Sequence, residues 1–183
     1  MIENAVEKVR RSIASEEPSN EDLVKQVLNL QVSSNLRKID SIAIFFFAAV
    51  ADQPPTSLTK YMEGLALLAQ SEEQQFEVLS CLEESVARAE DETKRATSLK
   101  IVPLVVKALY DEDVVEEDII KRWHAGEGNN VHVRIGVDAD TVAAVRMNAE
   151  PIVTWLDTVE EEGDEEAESD DDAYDPQSVF GSA

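Results

Sequence analysis

Apolar residues recur at helical spacing through most of the chain. Val6, Val9 and Ile13 lie on one face of a first predicted helix, which ends before Pro18. Ser19 is a suitable N-cap for a second helix, because its hydroxyl can accept a hydrogen bond from a backbone N–H of the first turn. The pattern therefore predicts helices from the start of the chain.

The third predicted helix contains the run IAIFFFAAVA, residues 42–51, and ends before Pro54. This run is apolar on every side, so we expect the helix to lie between other helices. Further helices are predicted over residues 57–70, 72–89 and 98–109. The connections are short, which favours antiparallel neighbours. The sequence predicts an all-α, HEAT-like α-solenoid, and a closed helical bundle is the alternative.

The helical rhythm stops over residues 126–138, whose sequence is GEGNNVHVRIGVD. Its alternating valines suggest a short extended piece, but one strand cannot form a sheet alone, so a loop is predicted. A last helix is predicted over residues 140–159, with a kink or break before Pro151. We therefore expect a helical domain over residues 1–159 and a disordered acidic tail over residues 160–183.

Charge separates the tail from the body of the chain. The formal net charge is -23 over 183 residues. Residues 159–183 hold eleven acidic residues and no Lys or Arg, while the first 158 residues hold the other 28 acidic and all 16 basic ones. Phosphate binding requires clustered Lys and Arg, so this balance argues against nucleic acid as the primary ligand. A basic protein surface or lysine-rich peptide is the expected partner.

The remaining composition indicates a cytoplasmic protein. Cys81 is the single cysteine, so no intrachain disulfide can form, as in a reducing compartment. Met1 is not followed by the basic and apolar regions of a signal peptide. The longest apolar run, residues 42–51, is about half of the ~20 residues that a membrane span requires.

Two short segments near the end of the chain combine apolar helix residues, a tryptophan and many carboxylates. The first is ALYDEDVVEEDIIKRW, residues 108–123. Asp113 is predicted to N-cap a helix and to form a capping-box-like pair with Glu116. The acids that follow suit the positive end of the helix dipole. Asp111 and Glu112 precede the cap, and no local role is evident for them.

The second segment is EPIVTWLDTVEEEGDEE, residues 150–166. Trp155 and Leu156 are expected to pack, while the glutamates at 160–162 are expected near the helix C-terminus. Carboxylates at that end oppose the helix dipole, so local helix stability does not explain them. They indicate either a solubilising tail or a surface for a polybasic segment.

The two segments together resemble the paired aromatic and acidic boxes of the C-terminal, W2-type domain of eukaryotic translation initiation factor 5. The same boxes end the epsilon subunit of initiation factor 2B. The resemblance covers about 30 residues in ALYDEDVVEEDIIKRW and AEPIVTWLDTVEEE, in the family's order, and an acidic tail follows them. The rest of the chain agrees with the family's HEAT-like fold without identifying it.

The resemblance implies a binding hub rather than an enzyme. The expected partners are the lysine-rich segment of the initiation factor 2 beta subunit and initiation factors 1 and 3. By position, the partner-binding residues carried over are Asp111, Glu112, Asp113, Glu116, Glu117, Asp118, Trp123, Trp155, Glu160, Glu161 and Glu162. The two tryptophans are expected to support the site more than to contact a partner.

No catalytic, cofactor or metal site is predicted. The family's GTPase-activating module binds zinc through cysteine pairs, which one cysteine cannot supply. His124 and His132 lie eight residues apart without ligand-like neighbours. Two alternatives stay open: the nucleotide-exchange domain of the initiation factor 2B epsilon subunit, and a regulatory mimic of the initiation factor 5 domain.

Overall fold

The computed structural model describes residues 1–128 and 136–167, with side chains described as far as residue 158. These residues form helices and turns and contain no β-strand, which confirms the all-α prediction for this part of the chain. In chain order the α-helices are α1 (Ile2–Glu16), α2 (Asn20–Ser33), α3 (Asp40–Phe45), α4 (Met62–Leu68), α5 (Glu72–Ala87), α6 (Glu92–Asp111), α7 (Glu117–His124) and α8 (Ala139–Ala167).

Side-chain caps begin four of these helices, and at the start of α8 the Asp138 carboxylate accepts the backbone N–H of Thr141 at 2.7 Å. The Ser19 hydroxyl accepts the backbone N–H of Asp22 at 3.2 Å, as the sequence predicts. Ser71 caps α5 in the same way, and the carboxylate of Asp91 accepts the N–H of Lys94 at 2.8 Å at the start of α6. Each cap satisfies a backbone donor that has no partner inside the helix.

Two irregular turns lie between α3 and α4. The third predicted helix is confirmed, but after Phe45 it widens into one π-helical turn, Phe46–Val50. The fourth begins as a 3-10 helix, Pro55–Tyr61, before α4. Gly64 in α4 lies against α3 so closely that a Cβ atom there would be 2.5 Å from the Phe45 ring. The close approach of α3 and α4 therefore depends on this glycine.

One continuous hydrophobic core receives side chains from all eight α-helices and both irregular turns. The run at residues 42–47 is buried, so the prediction that its helix lies between others is confirmed. Helices α1–α4 pack together at one end, and α5 connects them to α6, α7 and α8. Among the described helices, none combines the length and apolarity needed to cross a membrane.

The largest helix–helix contact joins α6 and α8, which run parallel. Near their N-termini, Arg95 Nη2 donates a hydrogen bond to Thr141 Oγ1 at 2.8 Å. Near the other end, the rings of Tyr110 and Trp155 are 5.9 Å apart. The second half of α8 therefore runs past the C-terminus of α6, where the first acidic segment begins.

Two predicted boundaries in this region were wrong. Helix α6 starts at Glu92, because the cap at Asp91 extends it before the apolar stripe used to place it at 98. Helix α8 is continuous through Pro151 and reaches Ala167, so it extends past residue 159 and does not break before the proline, while the alternative of a kink stays a prediction. Proline costs about 3 kcal/mol in a helix interior, and burial of Ala149 and Leu156 on either side offsets this cost.

The loop predicted over residues 126–138 lies mostly outside the described residues. Gly126 and Gly128 begin it with φ angles of 110° and 83°, values that few residues other than glycine adopt. Residues 129–135 are not described, and neither is the part of the predicted acidic tail after Ala167.

A buried carboxylate ties α5, α7 and α8 together. Glu83 Oε1 accepts the indole N–H of Trp123 at 2.8 Å and the Nε–H of Arg146 at 3.1 Å. The Arg146 guanidinium also lies 5.5 Å from the centre of the Trp123 ring. All three side chains are buried. Burial raises the pKa of the Glu83 carboxyl above its ordinary value of 4.5, against the opposing effects of Arg146 and the indole.

We expect Glu83→Ala to destabilise the fold by about 3–5 kcal/mol, because it leaves a buried guanidinium and a buried indole N–H without an acceptor. Glu83→Gln is expected to cost about 1 kcal/mol or less, since its amide oxygen can accept both bonds. Urea denaturation measures both free energies of unfolding. Equal losses in the two variants would contradict this account of the carboxylate as an acceptor.

The raised pKa of Glu83 also predicts a pH dependence. The folded protein binds a proton at Glu83 more tightly than the unfolded chain does, so this group stabilises the fold most when it is protonated. That contribution is lost as the pH rises from the ordinary value of 4.5 through the raised pKa. The stability of the wild type relative to Glu83→Gln should therefore be highest at the acidic end of this range. Denaturation of both proteins at several pH values checks the sign.

Candidate functional site

The two tryptophan-containing acidic segments lie next to each other in the structure. The first occupies the end of α6, the following turn and α7, and the second occupies the middle and end of α8. Helix α8 packs against both α6 and α7. Residues of both segments, such as Tyr110 and Trp155, therefore share one surface.

The turn between α6 and α7 departs from the prediction. Asp111 is the last residue of α6, and Asp113 adopts a left-handed conformation with φ 53°. Its N–H bonds to the carbonyl of Tyr110 at 3.1 Å, which closes the turn. Helix α7 begins later, at Glu117, and Glu116 is its N-cap residue without a side-chain cap. The predicted capping box between Asp113 and Glu116 was therefore wrong.

Glu116 is held by α5 instead. Gln75 accepts the backbone N–H of Glu116 at 2.9 Å and donates its Nε2–H to Oε1 of Glu116 at 3.2 Å. Gln75 is buried. Its side chain therefore provides the acceptor for a backbone N–H at the start of α7, as a capping side chain would. Glu117 and Asp118 lie in the first turn of α7, as expected.

The two tryptophans differ in exposure. Trp123 is 1% exposed and belongs to the core, where Glu83 holds its indole. It supports the site and offers no surface to a partner. Trp155 is 38% exposed, although the next residue, Leu156, is fully buried. The expected packing of both residues holds for Leu156 and only partly for Trp155.

Lys107 joins the two segments at the end of α6. Its Nζ lies 2.6 and 2.8 Å from the two carboxylate oxygens of Asp111. The same atom lies 4.9 Å from the centre of the Trp155 ring, whose edge-to-face partner is Tyr110. Asp111 therefore has a local partner one helical turn back, contrary to the expectation that it has no local role.

Lys121 makes a second connection, between α7 and α8. Its Nζ lies 2.6 Å from Oε1 of Glu117 and 2.9 Å from Oδ1 of Asp157. Arg122, next to it, pairs with Asp118 at 3.1 Å and with Glu72 of α5 at 3.2 Å. Hydrogen bonds to Glu127, Asp118 and Glu72 raise the pKa of the Arg122 guanidinium, which stays charged.

The remaining predicted acids are less constrained. Glu112 and Asp113 are exposed on the turn. The backbone at 160–162 is helical and lies inside α8, several residues before its end at Ala167. The sequence suggested that these glutamates lie near the helix C-terminus. In the structure they lie before the last helical turn. Their side chains are outside the described atoms.

Sequence reasoning missed the residues that connect the two segments. These are Tyr110, which contacts the ring of Trp155, and the charged side chains Lys107, Lys121 and Asp157. The i,i+4 spacing of each lysine from an acid in its own helix was a usable signal. No comparable signal marked the contacts that reach across to α8.

The described residues contain no cluster of His, Cys, Asp and Glu that could hold a metal ion. Cys81 is buried, and burial raises the pKa of its thiol well above its ordinary value. His124 Nε2 lies 2.8 Å from Oε2 of Glu150, in a contact between α7 and α8. A cleft of about 600 Å³ lies between the π-helical turn and the first half of α6, and none of its lining residues belongs to the acidic segments.

Comparison with known families decides the relationship. Residues 74–166, half of the chain, match the W2 family, described as eIF4-gamma/eIF5/eIF2-epsilon. The chain belongs to the W2 family. The match begins in α5 and ends in α8, so it includes both acidic segments and the helices that hold them.

Curated relatives support this assignment. Eukaryotic translation initiation factor 5 of Zea mays is 44% identical over 71 residues, which is 38% of this chain and 14% of the relative. The probable eukaryotic translation initiation factor 5-2 of Arabidopsis thaliana is 38% identical over 69 residues, with the same two shares. The W2 domain thus matches only a small part of these longer proteins.

A solved structure shows the same fold. It is described as the C-terminal domain of translation initiation factor 5 at low pH, and it superimposes with a TM-score of 0.66 at 19% identity. The alignment covers 91% of this chain and 96% of that one. The predicted HEAT-like arrangement is confirmed, and it extends through α1–α4, which lie outside the family match.

The Lys121–Asp157 pair predicts a small, salt-sensitive contribution to stability. We expect Asp157→Asn to lower the free energy of unfolding by about 0.2–1 kcal/mol, because the pair is partly exposed. Thermal denaturation at low salt and at about 1 M salt measures it, and the loss should shrink where the charges are screened.

Glu112→Gln is the matched control, since Glu112 is exposed and forms no ion pair with any described residue. It makes the same change in net charge and should leave the stability unchanged or slightly raised. A loss as large as that of Asp157→Asn would contradict the assignment of a specific contact.

Proposed function

We propose that this W2 domain is a non-enzymatic adaptor of translation initiation that binds lysine-rich protein segments. The binding surface would consist of the α6–α7 turn, the exposed side of α7 and the second half of α8. The single observation that carries the proposal is that the two acidic segments meet: Glu117 and Asp157 converge on Lys121, and Lys107 lies between Asp111 and the exposed Trp155. A cytoplasmic location follows from this function and is part of the proposal.

The expected partner is the lysine-rich segment of the initiation factor 2 beta subunit, with initiation factors 1 and 3 as further partners. Membership of the W2 family and similarity to initiation factor 5 support a role among initiation factors. Charge supports the choice of a basic segment, because the chain carries a net charge of -23.

The exposed acids suit a weak, multivalent contact. A single exposed ion pair contributes only about 0.2–1 kcal/mol. Several pairs formed by one run of lysines can add to a useful affinity, and they also steer the approach of the partner. Such binding should weaken steeply with salt, since the charges are screened at short range.

The site also explains which of the carried-over residues would contact a partner. Glu112 and Asp113 are exposed on the turn, and Asp118 is exposed on α7. Glu116 is bound to Gln75, and Trp123 lies in the core, so both position the surface. We assign the contact to the first group, with Trp155 and the glutamates at 160–162.

Replacing Asp111, Glu112 and Asp113 by their amides, together with Glu160, Glu161 and Glu162 by Gln, should weaken binding of a lysine-rich peptide. With six charges removed, we expect a loss of at least tenfold at low salt, from several pairs of about 0.2–1 kcal/mol each. Fluorescence anisotropy measures the affinity, and circular dichroism checks that the helices remain.

The control replaces Glu16, Glu21 and Glu63, three exposed acids on α1, α2 and α4, by Gln and is compared with the variant Glu160→Gln, Glu161→Gln and Glu162→Gln. Both variants lose three charges, so a general electrostatic effect would weaken both equally. The proposal predicts the larger loss for the second. Unchanged affinity in the six-residue variant with intact helices would disprove it. Measurable release of GDP from loaded initiation factor 2 would instead favour a nucleotide-exchange domain.

A further inference from the structure

The ammonium group of Lys107 lies between a carboxylate and an aromatic ring, an environment that could also bind a lysine of a partner. Its ammonium contacts both oxygens of Asp111 at 2.6 and 2.8 Å and faces the Trp155 ring at 4.9 Å. Tyr110 stands edge-to-face against that ring, with the two planes at 80°. A carboxylate and an aromatic face that meet on one cation form a recognisable ammonium site.

The site is open to solvent. The side chains of Lys107 and Asp111 are 42% and 44% exposed, and Trp155 is 38% exposed. An exposed ion pair of this kind is weak, and the long lysine side chain can swing away from it at little cost. Another ammonium can therefore reach the same carboxylate and the same ring face.

We propose that Tyr110, Asp111 and Trp155 form a binding site for a single lysine side chain, and that Lys107 occupies this site in the free domain. A lysine of the basic partner replaces Lys107 when the partner binds. Lys107 thus acts as an internal competitor that lowers the affinity of the acidic surface for its ligand. The inference rests on the proposed function, because it names the group that the partner inserts.

Lys121 is not equivalent to Lys107. Its side chain is only 24% exposed and lies between carboxylates of two helices, Glu117 on α7 and Asp157 on α8. Displacing it would separate a contact that holds α7 against α8. Lys107 and Asp111 belong to one helix, four residues apart, so exchange at this site breaks no ion pair between helices.

Lys107→Gln is the decisive variant, with Lys100→Gln as its matched control. Both residues are on α6, and Lys100 is exposed and forms no ion pair with any described residue. Each substitution makes the net charge more negative by one. An effect of net charge alone would tighten the binding of a basic peptide similarly in both, and Trp155→Leu then separates removal of an internal competitor from loss of a nearby positive charge.

The probe is a fluorescein-labelled octalysine peptide, titrated at low salt against the full chain. We expect Lys107→Gln to bind it roughly three- to tenfold more tightly than Lys100→Gln does, the range set by one exposed ion pair plus one exposed cation–π contact. Adding Trp155→Leu to Lys107→Gln should remove most of that advantage. Circular dichroism confirms that each variant is folded.

The indole N–H resonances of the two tryptophans give a second readout. Octalysine should shift the Trp155 resonance and leave that of the buried Trp123 nearly unchanged. Equal affinities of Lys107→Gln and Lys100→Gln, with no shift at Trp155, would overturn the inference while leaving the proposed function intact. Failure of the wild-type domain to bind octalysine at all would overturn both.

Discussion

The acidic surface depends on one buried carboxylate, that of Glu83. It accepts hydrogen bonds from Trp123 on α7 and Arg146 on α8, and so fixes both helices to α5. Helix α7 has only eight residues and would be unstable alone. Its position follows from burial of Trp123 and from this shared acceptor. The exposed acids of α7 and α8 are therefore held in register by an interaction inside the core, where water does not weaken it.

The amino-acid sequence predicts the fold well where local chemistry decides. Ser19 caps α2 as expected, and the apolar run after Ile42 is buried between helices. It predicts less where tertiary contacts override local preference. Asp113 is a residue type that often caps helices, but the backbone N–H at the start of α7 donates to Gln75 on α5 instead. Pro151 normally ends a helix, but the packing of α8 against α6 carries the helix through it. Neither contact can be inferred from neighbouring residues.

The candidate site shows the same division. The acids and the two tryptophans are recognisable in the sequence, and their order led to the correct family. Their division into core and surface is not recognisable, because Trp123 and Trp155 occur in similar sequence settings. Three cations, Lys107, Lys121 and Arg122, also form ion pairs with acids of this surface. They partly neutralise the surface from within, so the charge that a partner meets is smaller than the number of carboxylates suggests.

The parallel arrangement of α6 and α8 has a consequence for the electrostatic field. Two parallel helices point their backbone dipoles in the same direction, so the negative ends of both lie on the side of the acidic segments. Peptide carbonyls then add to the potential of the carboxylates, and this contribution does not titrate. Protonating the acids would weaken the negative field without abolishing it. The backbone itself thus contributes to the negative potential of this surface.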